Sequence, residues 1–248
     1  MKKIHHICLI TSCIIPNTIS GPITNFTNKE RLLQLTNNIN YLLKNSLFKK
    51  IYIIDPFLNN EVKIEKFNSD LLKNGLIKSK KLKFLTFNPS KKTKLQIKNK
   101  GKGYSELEMI IEGTRKINND HDHTLIHKIS GRYKILNINK IIKKSELIFN
   151  TKKILFLPFS RILSKCYTVL ISYKSDIDVK FFVNCLRDIE DKKNKYTEHS
   201  FYKNLVRKKV TFRNNIVPQF ELSMIGGSKQ GRYGIFKQLM NKLLYGYM

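Results

Sequence analysis

The sequence predicts an α/β fold in which a mixed β-sheet is flanked by helices. Two observations support this prediction. Short runs rich in β-branched residues alternate along the chain with segments whose apolar residues recur every three or four positions. The chain is also 248 residues long and 41% hydrophobic, so it is large enough for one domain and too apolar for general disorder.

The N-terminal elements form a strand–helix–strand unit. His6 to Thr11 is predicted as a buried strand, and Thr27, with Glu30 three residues later, predicts a capping box at the start of a helix. Lys50 to Asp55 is the second strand, which makes the unit typical of a parallel sheet. Asp55 ends that strand at the edge where open α/β sheets bind ligands, although capping of a loop is an alternative role.

The remaining elements follow the same alternation. In the first half we predict a weak helix within Asn59 to Lys81, a strand at Leu82 to Phe87, a mobile basic loop at Ser90 to Gly103, a helix at Ser105 to Ile117 and a strand at Thr124 to Ile129. In the second half we predict helices at Ile138 to Lys144, Asp176 to Asp191 and Thr197 to Lys208, strands at Ile154 to Phe159, Tyr167 to Tyr173 and Phe220 to Ile225, and a final helix at Ile235 to Leu244.

The chain carries a strong positive charge, with Lys+Arg 47 against Asp+Glu 18 and a formal net charge of +29. Coding bias toward AT-rich codons explains part of the lysine excess, but it does not explain the shortage of acids. We therefore expect an anionic partner. Candidates are nucleotide phosphates, anionic lipid head groups, acidic polysaccharide and nucleic acid.

The cysteines and the N-terminal segment indicate a cytoplasmic protein. Cys8, Cys13, Cys166 and Cys185 are too scattered for a zinc knuckle or a disulfide scaffold, and we interpret them as reduced thiols. Met1 to Ile15 has the charged start and short apolar run of a secretory signal, but polar residues interrupt the run, so a buried strand is preferred. No stretch of about 18 apolar residues predicts a transmembrane helix.

Two glycine-containing motifs place cations where an α/β sheet holds an anion. The first, Lys100 to Glu106 (KGKGYSE), opens a helix, and the second, Lys128 to Tyr133 (KISGRY), ends a strand. Glycine lets the backbone N–H groups at a helix start approach a phosphate, and neighbouring Lys or Arg adds charged contacts. The sequence contains no P-loop motif.

These motifs, together with the helix start Asn28 to Ile39 (NKERLLQLTNNI), resemble a group of small bacterial and viral glycosyltransferase-like proteins. The fold of these proteins is similar to GT-A, the α/β sandwich that binds nucleotide sugars, and they are linked to polysaccharide or lipopolysaccharide assembly. The resemblance covers Ile7 to Tyr133, and its most specific element is K-x-[ST]-G-R-Y after a strand.

The resemblance implies a glycosyltransferase that moves a sugar from a nucleotide-diphospho-sugar to a polysaccharide or lipid-linked glycan. It implies one GT-A-like domain, with the donor on about residues 1–135 and the acceptor on about residues 136–248, which include an irregular helical lobe. GT-A enzymes usually bind a divalent metal through Asp-x-Asp at the fourth strand, but Lys128 and Arg132 occupy that place here. We therefore expect no cofactor, and these two catalytic cations neutralise the leaving diphosphate.

The residues predicted to bind substrate lie at the ends of these elements or in the glycine-rich tail. They are Thr11, Arg31, Asp55, Lys100, Gly101, Lys102, Gly103, Glu106, Ser130, Gly131, Tyr133, Lys229 and Arg232. The last two belong to Gly226 to Gly234, which is either a lid over the diphosphate or an ordinary connector. For Arg132 the alternative role is a structural salt bridge, and for Gly131 it is a turn.

Transfer with inversion requires a carboxylate that accepts the proton of the acceptor hydroxyl. Glu198, at the start of a helix, is the first candidate, although the helix dipole favours an acid there in any case. Weaker candidates are Asp176, Asp178 and Glu221. Asp120 and Asp122, in the sequence DHDH, are the candidate ligands if a divalent metal is used, but a polar turn is preferred because they precede the strand.

Two other functions stay open at this point. A basic nucleic-acid-binding protein would account for the charge and for the 11 tyrosines and 15 phenylalanines, although most of these rings lie in predicted apolar runs. An inactive glycosyltransferase-like scaffold would share the fold without turnover. The last helix, whose apolar stripe lies beside Lys237 and Lys242, suits either packing on the domain or peripheral contact with an anionic membrane at its inner face.

Overall fold

The computed structural model describes residues 4–15, 26–118, 124–149, 156–174, 179–208, 212–213, 217–221 and 234–246. Its main sheet has four parallel strands, β1 (His5–Thr11), β2 (Lys50–Ile54), β3 (Leu82–Leu85) and β4 (Thr124–Ser130). The sheet continues beyond β4 through three strands, which are β5 (Phe156–Leu157), β8 (Leu170–Lys174) and β9 (Phe212–Arg213). The strand order is β3-β2-β1-β4-β8-β5-β9, with β8 antiparallel to β4. A separate hairpin contains β6 (Phe159–Ser160) and β7 (Lys165–Cys166).

Helices cover both faces of the sheet. One face packs against α1 (Asn28–Asn45), α2 (Glu61–Lys73), α5 (Ile138–Phe149) and α8 (Ile235–Gly246). The other face packs against α3 (Lys91–Lys100), α4 (Lys102–Asn118), α6 (Lys180–Asp188) and α7 (Thr197–Lys208). None of the described helices combines the length and the hydropathy that a bilayer-crossing segment needs.

The strand β1 shows how the sequence builds this three-layer arrangement. Successive residues of a strand point to opposite faces of the sheet. Cys8 and Ile10 therefore join the core beneath α1, whereas Ile7 and Leu9 join the core beneath α4. The predicted fold class, a mixed α/β sheet flanked by helices, is confirmed by this sheet, and its likeness to GT-A stays a prediction.

The structure also confirms the predicted start of α1. The Thr27 hydroxyl accepts a hydrogen bond from the backbone N–H of Glu30 at 3.2 Å, and the Glu30 carboxylate accepts one from the Thr27 N–H at 2.6 Å. These two bonds satisfy donors that would otherwise lack partners at the helix end. They fix the residue at which α1 begins.

The segment predicted as a mobile basic loop is instead the helix α3. The Ser90 hydroxyl caps it by accepting a hydrogen bond from the Thr93 N–H at 3.2 Å, and Ile97 packs against the core beside α4. Because lysine has a good helix propensity, a lysine-rich segment forms a helix once it is capped and packed. Gly101 ends α3 with φ at +102°, which favours glycine, so the chain turns directly into α4.

The C-terminal elements also differ from the prediction. The strand predicted at Ile154 to Phe159 is divided at Pro158, which lacks a backbone donor, into β5 and β6. The helix predicted to reach Asp191 ends at Asp188, and a single 3₁₀ turn, Asp191–Lys193, follows. Of the strand predicted from Phe220, that residue forms an isolated bridge with Ile135, and 222–225 lie outside the described residues. The short strand β9 was not predicted.

A chain of polar side chains crosses the sheet interior. His6 Nδ1 lies 3.1 Å from His127 Nε2, and His127 Nδ1 lies 2.8 Å from the Ser172 hydroxyl. Burial, and then the charge of His6, hold the pKa of His127 well below its usual value. Burial also lowers the pKa of His6, although Glu146 partly opposes this shift. Both rings are therefore held as neutral imidazoles in the folded chain.

We expect the free energy of unfolding to decrease as the pH is lowered below about 6.5, because the unfolded chain then binds protons that the folded His127 does not. The decrease is up to about 1.4 kcal/mol per pH unit for each such histidine. Urea unfolding at a series of pH values measures it. His127→Gln should show a shallower dependence between about pH 6.5 and 5, and equal slopes would contradict the assignment.

Candidate functional site

The carboxyl ends of β1, β2 and β4 bring several of the predicted site residues to one edge of the sheet. In the strand register, Thr11 pairs with Ile54 on one side and with Ser130 on the other. Asp55 follows Ile54, so the polar residues that end these strands are neighbours across the sheet. Ligands of open α/β sheets bind at this edge.

A buried ion pair lies beneath this edge. Lys128 Nζ donates hydrogen bonds to Glu106 Oε1 at 2.6 Å, to the Ser130 hydroxyl at 3.1 Å and to the Thr168 carbonyl at 2.9 Å. The same Glu106 oxygen accepts hydrogen bonds from the Thr11 and Ser130 hydroxyls. Thr11, Glu106, Lys128 and Ser130 were all predicted site residues, and the structure joins them in one network.

The electrostatic state of Glu106 follows from this network. Its burial by itself raises its pKa, but the charges of Lys128 and Lys102 and the hydrogen bonds from Lys128 and Thr11 outweigh burial and lower the pKa to about 2. Glu106 is therefore a carboxylate at neutral pH. So weak a base is poorly suited to accept a proton from a substrate.

Lys128 does not have the position predicted for a catalytic cation. Its side chain is 1% exposed, and an ammonium group has three donors, all of which are used by Glu106, Ser130 and Thr168. A phosphate would have to displace one of these acceptors. We therefore assign Lys128 a positioning role, in which it holds β4 against α4.

Two arginines lie near each other above this network. Arg31 is 3% exposed, and its guanidinium donates to the Cys13 carbonyl at 2.8 Å. Burial, and then the charge of Arg132, lower the pKa of Arg31. Arg132 is half-buried and lies over the rings of Phe26 and Tyr133, with distances of 5.4 and 5.6 Å to the ring centroids.

Arg31 also has an unused donor. Its Nε is buried and has no hydrogen-bond acceptor within the described part of the chain. A buried guanidinium N–H without a partner is costly, and like charges in close proximity add to the cost. An anion bound between Arg31 and Arg132 would remove both penalties.

Asp55 holds the loop that follows β1. Its carboxylate accepts hydrogen bonds from the Ser12 hydroxyl at 2.6 Å, from the Ile14 N–H at 3.0 Å and from the Phe57 N–H at 2.9 Å. Burial raises the pKa of Asp55, and these hydrogen bonds and the Arg31 charge partly oppose the shift. Asp55 therefore has the alternative role, loop capping, and positions the Cys13 carbonyl that contacts Arg31.

Cys13 lies among the charged groups of this edge. Burial and then the charge of Asp55 raise the pKa of its thiol to about 11, although Lys102 and Arg31 oppose the shift. The thiol is therefore neutral at physiological pH. The charges of Asp55, Lys102, Arg31 and Glu106 all act on this one group.

The start of α4 was predicted to bind a phosphate, but in the structure it binds the carboxylate of Asp191. The backbone N–H of Gly103 donates to Asp191 Oδ2 at 2.9 Å. A Cβ on Gly101 would lie 2.7 Å from Asp191 Oδ2, and a Cβ on Gly103 would lie 2.5 Å from Thr197 Oγ1. The glycines thus allow close contact with the C-terminal lobe. Lys100 has a similar role, because its ammonium donates to the Leu186 carbonyl at 3.2 Å.

Lys102 differs from its neighbours in this motif. Its side chain is exposed. Its charge helps to lower the pKa of Glu106 and opposes the rise in the pKa of Cys13. No hydrogen-bond acceptor for its ammonium is found among the residues that the structure describes. Lys102 is therefore the cation of this motif that can contact a ligand at the sheet edge.

Glu198, the predicted catalytic base, lies next to the buried ion pair. Thr168 connects them, because its carbonyl accepts from Lys128 and its hydroxyl donates to Glu198 Oε1 at 3.4 Å. Glu198 is half-buried and is the second residue of α7. It is thus a carboxylate within reach of both the site and solvent.

The other predicted residues have structural roles or lie outside the described part of the chain. Gly131 is at a turn, where its N–H donates to the Thr11 carbonyl and its carbonyl accepts from Asn38. Tyr133 packs against Phe220, with ring centroids 5.6 Å apart. Of the weaker base candidates, Glu221 is described and forms an ion pair with Lys134. The predicted residues that lie outside the described part of the chain are Asp120, Asp122, Asp176, Asp178, Lys229 and Arg232.

The residues at the carboxyl end of β4 do not fit a divalent metal at the place where GT-A enzymes hold one. The polar groups there are the Lys128 ammonium, the Ser130 hydroxyl and the Arg132 guanidinium, and two of these three are cations. Divalent metals prefer carboxylate and other neutral or anionic oxygen ligands. Within the described ranges, no group of three or more His, Cys, Asp or Glu residues could hold a metal ion.

A groove of about 450 Å³ between α3, α4 and α6 is a second place with concentrated positive charge. Its cations include Lys92, Arg115 and Arg187, and its floor includes Tyr104 and Ile111. The groove runs along α4 away from the strand ends. It lacks the convergence of strand ends and the unsatisfied buried donor that distinguish the sheet edge.

Several residues that shape the site were not predicted from the sequence. Ser12 and Cys13 lie within two positions of Thr11, so a wider view of the strand end could have included them. Thr168 and Asp191 carry no local signal, because their partners are 40 and 88 residues away in the chain. Only the packing of the C-terminal lobe against α4 and β4 reveals them.

Comparison with known proteins gives low structural similarity and no family. No family model matches the chain, and no curated protein matches it. A candidate nucleotide-diphospho-sugar transferase of Desulfovibrio desulfuricans G20 is 10% identical with a TM-score of 0.49, over 83% of this chain and 77% of that chain. The Francisella tularensis 2-C-methyl-D-erythritol 4-phosphate cytidylyltransferase is 10% identical with a TM-score of 0.44, over 83% and 87%. Mouse xyloside xylosyltransferase 1 is 9% identical with a TM-score of 0.42, over 84% and 82%.

We expect Lys128→Met to destabilise the fold by about 3 kcal/mol at neutral pH, because it leaves the Glu106 carboxylate without its cation. Glu106 is stabilised as an anion above its unfolded pKa near 4.5, so the loss should be largest above this pH and smaller below it. The double variant Lys128→Met/Glu106→Gln should be more stable than Lys128→Met alone. Urea unfolding of these two variants and of Glu106→Gln alone measures this, and strictly additive losses would disprove the coupling.

We expect Gly103→Ala to destabilise the fold by about 1–3 kcal/mol, because the new methyl group would overlap with Thr197. Gly234→Ala is the matched control, since no atom of the described residues lies within 4 Å of a Cβ built there. The control should change the free energy of unfolding by less than about 0.5 kcal/mol. Urea unfolding compares the two, and similar values would show that α4 and α7 are not in close contact.

Proposed function

We propose that this chain is a glycosyltransferase that uses a nucleotide-diphospho-sugar donor, with the diphosphate bound between Arg31 and Arg132. The observation that carries the proposal is this pair of guanidinium groups at the carboxyl ends of β1 and β4. One of them is 3% exposed and retains a buried donor without an acceptor in the described ranges. An α/β sheet with cations at this edge is suited to a phosphorylated ligand.

Arginine suits a diphosphate better than lysine does, because its planar group donates two parallel hydrogen bonds to phosphate oxygens. Arg31 is already oriented by its contact with the Cys13 carbonyl, and Arg132 is oriented by two aromatic rings. Little side-chain freedom is therefore lost on binding. Lys102 supplies a third, exposed positive charge at the same edge.

In the proposed reaction the acceptor hydroxyl attacks the anomeric carbon of the donor sugar. The bond between that carbon and the diphosphate oxygen breaks, and the electron pair leaves with the nucleoside diphosphate. Arg31 and Arg132 stabilise the negative charge that develops on the leaving group. Glu198 accepts the proton of the acceptor hydroxyl, and Lys128 and Thr168 keep this carboxylate at the edge of the site.

The proposed transfer does not use a divalent metal. The support for this part of the proposal is the donor set after β4, where cations stand in place of the carboxylates that a metal would need. Fixed guanidinium groups would neutralise the leaving diphosphate, which is the task a metal performs in many transferases. A polysaccharide or lipid-linked glycan is the proposed acceptor.

Isothermal titration with a panel of nucleoside diphosphates and their sugars tests this function. We expect at least one member to bind, and EDTA should leave the affinity unchanged. Arg132→Gln should weaken binding by about tenfold or more, since a charge-assisted hydrogen bond is worth about 1.5–3 kcal/mol. Arg31→Lys should also weaken it, because the charge stays and the paired hydrogen bonds are lost.

Arg187→Gln is the matched control, because this arginine lines the groove beside α6 and not the sheet edge. The proposal predicts unchanged affinity for this variant. Loss of binding in Arg187→Gln with unchanged binding in Arg132→Gln would move the site to the groove. If no nucleotide binds, and if single-stranded nucleic acid binds with a steep salt dependence instead, the proposed function is wrong.

A further inference from the structure

The C-terminal helix α8 turns its apolar side toward solvent. Phe236 is 76% exposed, and the other large side chains on this side are also exposed. These side chains are Ile235, Leu239, Met240 and Leu243. At 100° per residue they occupy one continuous stripe of the helix. Lys237 and Lys242 border the stripe on its two sides.

The opposite side of α8 attaches the helix to the protein. The Gln238 side-chain amide donates to the Phe220 carbonyl at 2.7 Å, and Asn241 donates to the Tyr167 hydroxyl at 3.4 Å. Tyr245 is buried, and its ring centroid lies 5.1 Å from that of Tyr167. The helix is therefore held mainly through polar and aromatic contacts, and its apolar stripe is left for another partner.

The hairpin next to α8 has the same character. Helix α8 packs beside β6, and the turn between β6 and β7 exposes Ile162 at 69% and also Leu163. Arg161 precedes these residues and Lys165 follows them. Neither Phe156 to Lys174 nor Ile235 to Met248 contains an acidic residue. Two adjacent elements thus combine exposed apolar side chains with positive charge.

We propose that α8 and the β6–β7 hairpin together form a docking surface for an anionic lipid bilayer. A helix with an exposed apolar stripe between lysines lies in the plane of the bilayer interface, with its apolar side chains among the lipid chains. Anionic lipid head groups attract nearby Lys and Arg. A second copy of the chain is a poor alternative, because two bodies of net charge +29 repel each other.

This surface is close to the candidate site. Tyr167, which contacts α8, precedes Thr168, which contacts both Lys128 and Glu198. Docking would therefore bring the Glu198 side of the site to the bilayer, where a lipid-linked acceptor would be held. The choice of acceptor rests on the proposed function, whereas the docking itself does not.

Flotation with lipid vesicles, in the absence of any nucleotide, tests the docking surface. The full chain should bind vesicles that contain phosphatidylglycerol, and it should not bind vesicles of phosphatidylcholine alone. Binding should decrease as the salt concentration rises. The double variant Phe236→Ser/Leu239→Ser should lower the affinity by at least about tenfold, and Lys242→Glu should lower it by about fivefold or more.

Matched controls separate this surface from general effects of hydrophobicity and charge. Leu147→Ser replaces an apolar side chain on α5 that is 73% exposed, and Lys66→Glu changes an exposed charge on α2. Both should bind vesicles like the parent chain. Equal binding of the double variant and the parent would overturn the proposal. The proposal would also be overturned if sedimentation showed that the parent chain is a dimer and that the double variant is a monomer.

The outcome is independent of the proposed function. Nucleotide binding in solution should be the same in the double variant and in the parent, because the changed side chains lie on the outer side of α8. If vesicles bind and no nucleotide does, the docking surface stands and the proposed function fails. If nucleotides bind and vesicles do not, the docking surface is wrong.

Discussion

The ion pair between Lys128 and Glu106 is the interaction on which the arrangement of the site depends. Lys128 belongs to β4, Glu106 belongs to α4, and a further acceptor, Thr168, precedes β8. Burial of an ammonium is tolerated when each of its donors has an acceptor, which is the case here. The pair therefore fixes three elements relative to one another. Thr168 also contacts Glu198, so the position of this carboxylate depends on the same network.

The positive charges of this chain have different roles at different places, although the net charge of +29 alone suggests one role. Lys128 is neutralised inside the protein and contributes nothing to the field outside. Arg31 and Arg132 lie at the sheet edge, where burial and then the charge of Arg132 lower the pKa of Arg31. Lys237 and Lys242, which belong to α8, border an apolar surface. Net charge alone predicts an anionic partner, whereas the position of each cation indicates which kind of anion it meets.

The alternation of strands and helices in the first half was predictable, because its signals are local. A capping box at Thr27, β-branched strands and apolar periodicity all act within a few residues. The same reasoning missed α3, since the capping by Ser90 and the packing of Ile97 outweigh a sequence that looks like a loop. At the site, Thr11 and Ser130 were predicted to bind substrate, and the structure pairs them across β1 and β4. Their roles were not predictable, because burial and distant partners decide whether a cation is free or engaged.

The contact between Asp191 and the start of α4 bears on how the chain folds during synthesis. Asp191 is synthesised 88 residues after Gly103, and its carboxylate accepts a hydrogen bond from the Gly103 N–H. At typical rates of synthesis this interval lasts about 4–18 seconds, and for that time the first turn of α4 has no cap from this carboxylate. The Lys128 ammonium likewise lacks one of its acceptors until Thr168 has been synthesised. The N-terminal half of the nascent chain therefore lacks these two buried polar contacts at first. They form only after the C-terminal lobe has been synthesised.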